Sequence, residues 1–132
     1  MIRYIFLISV LFTLGGCAMG GPNLSDTPPI VVESVRTTAA GHYLDLRYRV
    51  LDPVRANEAL GPGSKPTLVA DATGAVMAVP TTAKLGSLRQ TNADQRLDRT
   101  YFVLFLNSAG VRAGSKVTAH LGGFTFDDLS IQ

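Results

Sequence analysis

Few side chains in this sequence have the chemistry to act on a substrate, and their spacing decides most of what they can do. There is one cysteine, Cys17, and there are two histidines, His42 and His120. A thiol is the strongest soft nucleophile available, but nucleophilic catalysis needs a base beside it, and neither histidine has a context that pairs it with a nucleophile and an acid. His42 and His120 are seventy-eight positions apart, so a shared metal site would require a tertiary coincidence, and the expectation is two solvated surface histidines. Met77 invites comparison with a soft copper ligand, yet an isolated methionine in a strand reads as gap-filling core. Asp127-Asp128 could serve as paired carboxylates, although a solvated bulge is the plainer reading. No Gly-x-Ser-x-Gly elbow is present, and Gly61-Pro62-Gly63 and Gly122-Gly123 lack the strand-to-helix context of a phosphate loop. The expectation is a protein that is not an enzyme and that holds no cofactor and no metal.

The position of Cys17 gives its thiol a different use. One early positive charge, Arg3, precedes the apolar run Tyr4 to Leu14, and Leu14-Gly15-Gly16-Cys17 closes it. The run is about half of the roughly 20 residues a spanning helix needs, which fits a secretory signal. Its end resembles the lipobox of bacterial lipoproteins, where a Leu three residues before a Cys, with small residues between, is cut by lipoprotein signal peptidase. That resemblance implies removal of residues 1–16 and a diacylglycerol on the Cys17 sulfur. At about 0.8 kcal/mol per buried CH₂, two or three acyl chains make an effectively permanent anchor. Ala18 follows, where an Asp would resemble an inner-membrane retention signal. An outer-membrane lipoprotein facing the periplasm is therefore expected.

With its only cysteine spent on the anchor, the chain has no disulfide, and its stability must come from the core. The mature chain carries eleven Lys and Arg against ten acids. That balance points to no nucleic-acid surface. Residues 17–29 contain three prolines among small and polar residues, the composition of a flexible tether reaching on the order of 40 Å.

From Ile30 the period becomes two. Ile30 to Thr38 and His42 to Leu51 flank Ala39-Ala40-Gly41. The second segment alternates Leu44, Leu46, Tyr48, Val50 with Asp45, Arg47, Arg49. This predicts a half-buried antiparallel hairpin with two open registers, one setting Glu33 opposite Arg47 and the other Arg36 opposite Asp45. Asp52-Pro53 predicts a helical turn over 53–60, with Asp52 as N-cap. Pro66 to Ala70 and Ala75 to Val79, joined by Asp71-Ala72-Thr73-Gly74, predict a second hairpin. Pro80 to Asp98 shows no period beyond a short strand around Lys84 to Arg89, and so long a loop is either functional or wrongly read. Thr100 to Leu106 is apolar on both faces and predicts a central strand covered on two sides. Lys116 to Leu121 and Phe124 to Ile131 close the chain, the latter changing phase near Asp127-Asp128 as a bulge would require.

These elements predict an all-β fold, an antiparallel immunoglobulin-like β-sandwich of seven or eight strands over residues 30–132. The phrases Leu44 to Asp52, Lys84 to Gln90 and Tyr101 to Phe105 resemble those of a group of small exported bacterial proteins with no settled activity. The feature with a claim to function is the polar face bearing Arg47 and Arg49, joined by Arg36, together with the loop from Arg89 to Arg99. Guanidinium groups fixed on a strand can fork onto a partner's carboxylates. The reading is a lipid-anchored module docking on another envelope protein through Arg47, Arg49 and Arg89. The alternative is a periplasmic carrier of a small ligand or metal, and a solvated face with local ion pairs is the plainer account of the arginines.

Overall fold

The computed structural model describes residues 26–90 and 94–132; the signal segment, Cys17 and most of the tether lie outside the described residues. Nine strands and one helix are described: β1 (Ile30–Thr38), β2 (Tyr43–Val50), α1 (Pro53–Leu60), β3 (Thr67–Ala70), β4 (Val76–Ala78), β5 (Thr81–Thr82), β6 (Gly86–Ser87), β7 (Thr100–Leu106), β8 (Lys116–Leu121) and β9 (Phe124–Ser130). One sheet has the order β1-β2-β7 and a second the order β4-β3-β8-β9, with β5 and β6 as a separate small pair. All the strand pairs are antiparallel. The fold is an all-β sandwich.

Alternation in β2 positions the rest. Leu44, Leu46, Tyr48 and Val50 are buried, with Leu46 set between Val35 and Val103 and Leu44 beside Phe105. The facing sheet contributes Leu68, Met77, Val117, Ala119 and Leu121 to the same core. Burying each large apolar side chain contributes about 1.5–3 kcal/mol, so this shared layer holds the sheets together. The predicted helix forms: Asp52 accepts the Arg55 backbone N–H at 3.2 Å, Pro53 occupies the first turn, and Ala56 and Leu60 turn into the core. The β8–β9 turn packs on this helix so closely that a Cβ at Gly122, where φ is +57°, would lie 2.6 Å from the Ala59 Cβ.

The first hairpin uses parts of both registers. Arg36 lies opposite Asp45, while a bulge at Glu33 brings Ser34, not Glu33, opposite Arg47. The bulge foreseen at Asp127-Asp128 is present: the β8–β9 register shifts between Val117 and Ala119, and Asp128 has φ +58°. Phe126 and Leu129 can then both pack against the core.

Two expectations are corrected. Thr100 to Leu106 is not the middle strand of its sheet; β2 is, and β7 lies beyond it. Nor is β7 fully covered on two faces, because Tyr101, Val103 and Phe105 are buried whereas Phe102 and Leu104 are only half-buried. The apolar residues of its outer face meet solvent in part, which composition alone does not reveal. The short strand expected around Lys84 to Arg89 is present as β6, so the stretch from Pro80 to Asp98 is not one long loop. It carries β5 and β6 and then lies along β7: Leu104 N–H donates to Leu88 O at 2.9 Å and Gln90 N–H to Phe102 O at 3.1 Å. At the opposite margin, Gln132 N–H donates to Val35 O at 2.9 Å, tying the end of β9 to β1.

Candidate functional site

The outward face of β1, β2 and β7 brings Arg36, Arg47 and Arg49 together. Residues directly opposite in an antiparallel pair share a face. Here the rows read Arg36–Asp45–Leu104, Ser34–Arg47–Phe102 and Val31–Arg49–Thr100. A column of charges on β2 therefore runs beside half-buried Phe102 and Leu104, with Leu106 exposed at the end of β7.

Each guanidinium on this face is held by a neighbour. Arg47 donates from Nε and Nη2 to Asp45 Oδ2 at 3.2 and 3.1 Å. Arg49 donates from Nε to Glu33 Oε1 at 3.1 Å and from Nη1 to Asp98 Oδ1 at 3.2 Å. The bulge that displaces Glu33 from the ladder lets its second oxygen accept from Thr100 Oγ1 at 3.0 Å. Arg36 Nε instead donates to the neutral amide oxygen of Gln132 at 3.2 Å. Such exposed pairs contribute little to stability, about 0–1 kcal/mol each. Their effect is to orient the forks.

Arg89 is not part of this face. It pairs with Val103, whose side chain is buried, so Arg89 turns inward. There it donates from Nη1 to Ser64 Oγ at 2.6 Å and from Nη2 to the carbonyls of Gly61 and Pro62 at 3.0 and 3.1 Å. A cation on the carbonyls just past a helix C-terminus is favourable, and this one clamps the chain after α1 to the segment beside β7. Burial lowers the Arg89 pKa, and nearby Tyr48 opposes that shift. The expectation that Arg89 belongs with Arg47 and Arg49 fails on orientation.

Beside Arg89 lies a polar cluster that sequence reasoning missed. Tyr48 and Tyr101 stack with ring centroids 5.9 Å apart. Gln95, only 3 % exposed, donates from Nε2 to the Tyr48 hydroxyl at 3.2 Å, and its backbone N–H donates to Asn57 Oδ1 at 3.0 Å. Arg96 N–H donates to the Tyr101 hydroxyl at 3.0 Å. Burial pushes the Tyr48 pKa up to about 12, against the opposing effects of the Gln95 hydrogen bond and Arg89. Two tyrosines in phase with the core were the available signal, since a buried hydroxyl must find a partner. Nothing local marks Gln95 as that partner.

No family model, curated protein or solved structure matches this chain.

The remaining candidates are dispersed. His42 lies in the β1–β2 turn, where its carbonyl accepts Asn107 N–H at 2.9 Å. His120 is exposed near the end of β8, at the other end of the sandwich, with Nδ1 3.2 Å from Thr125 Oγ1. The structure does not bring the two together. Met77 is fully buried opposite Leu68, as a core residue. Asp128 is ion-paired with Lys116 at 2.7 Å. Among the described residues no three His, Cys, Asp or Glu side chains gather to hold a metal ion, and no described helix is long and apolar enough to cross a membrane. Two grooves of about 520 and 460 Å³ flank the loop from Gly61 to Pro66, the first open to solvent and lined in part by Glu58 and His120, the second more enclosed and lined in part by Lys65 and Arg89.

Proposed function

We propose that this chain is a non-enzymatic, lipid-anchored protein of the bacterial envelope, held in the outer membrane by acylated Cys17, whose sandwich docks on another envelope protein through the outward face of β1, β2 and β7. The observation that carries the docking reading is the juxtaposition on one rigid sheet of forked, pre-oriented Arg47 and Arg49 with the apolar column Phe102, Leu104 and Leu106. Interfaces combine an apolar centre with arginines whose planar forks recognise carboxylates, and a sheet holds both at little ordering cost. The groove lined by Glu58 and His120 is open rather than enclosed, which disfavours carriage of a small ligand there.

The test is a photoreactive residue in place of Leu104 in cells. A discrete adduct is expected that disappears when Arg47→Glu and Arg49→Glu are added, because reversed charge repels an acidic partner. An adduct indifferent to the reversal contradicts the docking face. The anchor is tested separately by mass spectrometry: an acylated N-terminal Cys17 is expected, and a soluble or uncleaved product from Cys17→Ser. A mature chain starting downstream without lipid contradicts it.

A further inference from the structure

We infer that the end of the sandwich from which the tether leaves is itself a membrane-seating surface, with Leu51, Val54 and Leu97 entering the headgroup and upper acyl region of the bilayer. Backbone hydrogen bonds gather three segments there. Pro29 O accepts both Leu51 N–H at 2.8 Å and Asp52 N–H at 3.0 Å, while Val50 O accepts Asp98 N–H at 2.9 Å. The tether root, the start of α1 and the turn before β7 thus form one end of the domain. Each of these last two segments exposes large apolar side chains: Leu51 is 43 %, Val54 69 % and Leu97 60 % exposed. The opposite end, made by residues 38–42, 71–75 and 107–114, exposes Leu106 at 45 % and Val76 at 60 % on the two separate sheets, not gathered on segments bonded to the tether root.

The occupant is identified by where the chain goes. This inference rests on the Cys17 anchor, and Cys17 is nine residues from Asp26, the first described residue. At about 3.3 Å per residue that leash spans at most about 30 Å, so the tether end is the part of the domain nearest lipid. Exposed Arg96 and Arg99 flank Leu97, and the carboxylate between them, Asp98, is occupied by Arg49. Basic residues bracketing an apolar tip suit an interface where stems lie among acyl chains and charged heads stay with phosphates. A seat of this kind orients the domain: with the strands of β1, β2 and β7 running away from the tether end, the arginine face stands upright from the membrane, accessible from the side.

The chain contains no tryptophan, so a single introduced indole reports depth without background. The full-length protein carrying Leu97→Trp, and separately Val54→Trp, is reconstituted into phosphatidylethanolamine and phosphatidylglycerol vesicles with brominated acyl chains, with Ala113→Trp as the distal comparison. Expected is severalfold stronger bromine quenching and a blue-shifted emission for Leu97→Trp and Val54→Trp, and neither for Ala113→Trp. Quenching no greater at the two proximal positions than at the distal one overturns the inference. The N-terminal mass of the same sample reports the anchor independently. Absent quenching on an acylated chain refutes the seat alone, absent quenching on an unacylated chain refutes both, and quenching without acylation supports the seat while removing the anchor.

Discussion

Arg49 and Arg89 are the same residue type on the same side of the sandwich, and they have opposite employments. Arg49 lies on the outside of β2, shared between Glu33 and Asp98 in water. Arg89 turns inward, where Ser64, Gly61 and Pro62 take its Nη1 and Nη2 donors while its buried Nε has no partner. An arginine's contribution follows from its partners and its solvent: screened carboxylates orient it at little gain, whereas partly buried carbonyls make it a structural tie. The outer arginines are thus expendable to the fold, and the inner one is not.

The largest effect expected is in the shared core that both regions rest on. Phe105→Ala should cost about 3–5 kcal/mol in urea unfolding, as large-to-small changes at fully buried sites do. A cost below about 1 kcal/mol would mean that the β2–β7 layer does not organise the domain.

Next comes the polar cluster beside Arg89. Because the folded pKa of Tyr48 is raised to about 12 from an ordinary 10.0, the stability held by its neutral hydroxyl is fully present below pH 10 and is lost as pH rises from 10 through 12. The loss should be roughly 2–3 kcal/mol at about 1.4 kcal/mol per pH unit. Tyr48→Phe should remove that part of the decline; an unchanged alkaline slope would show that another group titrates.

Arg89→Met keeps an apolar stem while removing the donors to Gly61, Pro62 and Ser64. It should cost about 1–3 kcal/mol, the range for charged hydrogen bonds whose partners are left behind. The smallest effect is at the outer face: Arg47→Glu with Arg49→Glu should cost no more than about 1 kcal/mol each, less as salt rises. If the outer pair proves costlier than Arg89, the comparison is inverted.

How far the sequence foretold this arrangement follows the same division. Wherever one face is buried and the strand is long, period two carries the answer, so β1, β2 and β8 fall where the alternation puts them. The phase change at Asp127-Asp128 and the Asp52-Pro53 helix start were legible because each has a local cause, a bulge and a cap. Glu33 was half-legible: two registers competed because a bulge realises part of each. Arg89 and Gln95 were not legible. They lie in a stretch whose strands are two residues long, too short for any period. The direction of Arg89 is set by its bridge to Val103 of β7, and that of Gln95 by Asn57 and Tyr48, partners that no local pattern marks. The rank of β7 within its sheet was lost for the same reason: apolar composition reports neither a strand's neighbours nor the exposure of each of its faces.

The docking surface is tested most directly by one comparison in living cells, the yield of the crosslinked adduct from position 104 in the Arg47→Glu, Arg49→Glu protein and in the Arg89→Met protein, at a temperature where both are folded. The predicted result is loss of the adduct in the first and its retention in the second. Retention in the outer double variant would mean that Arg47 and Arg49 form only a solvated face, contradicting the docking surface.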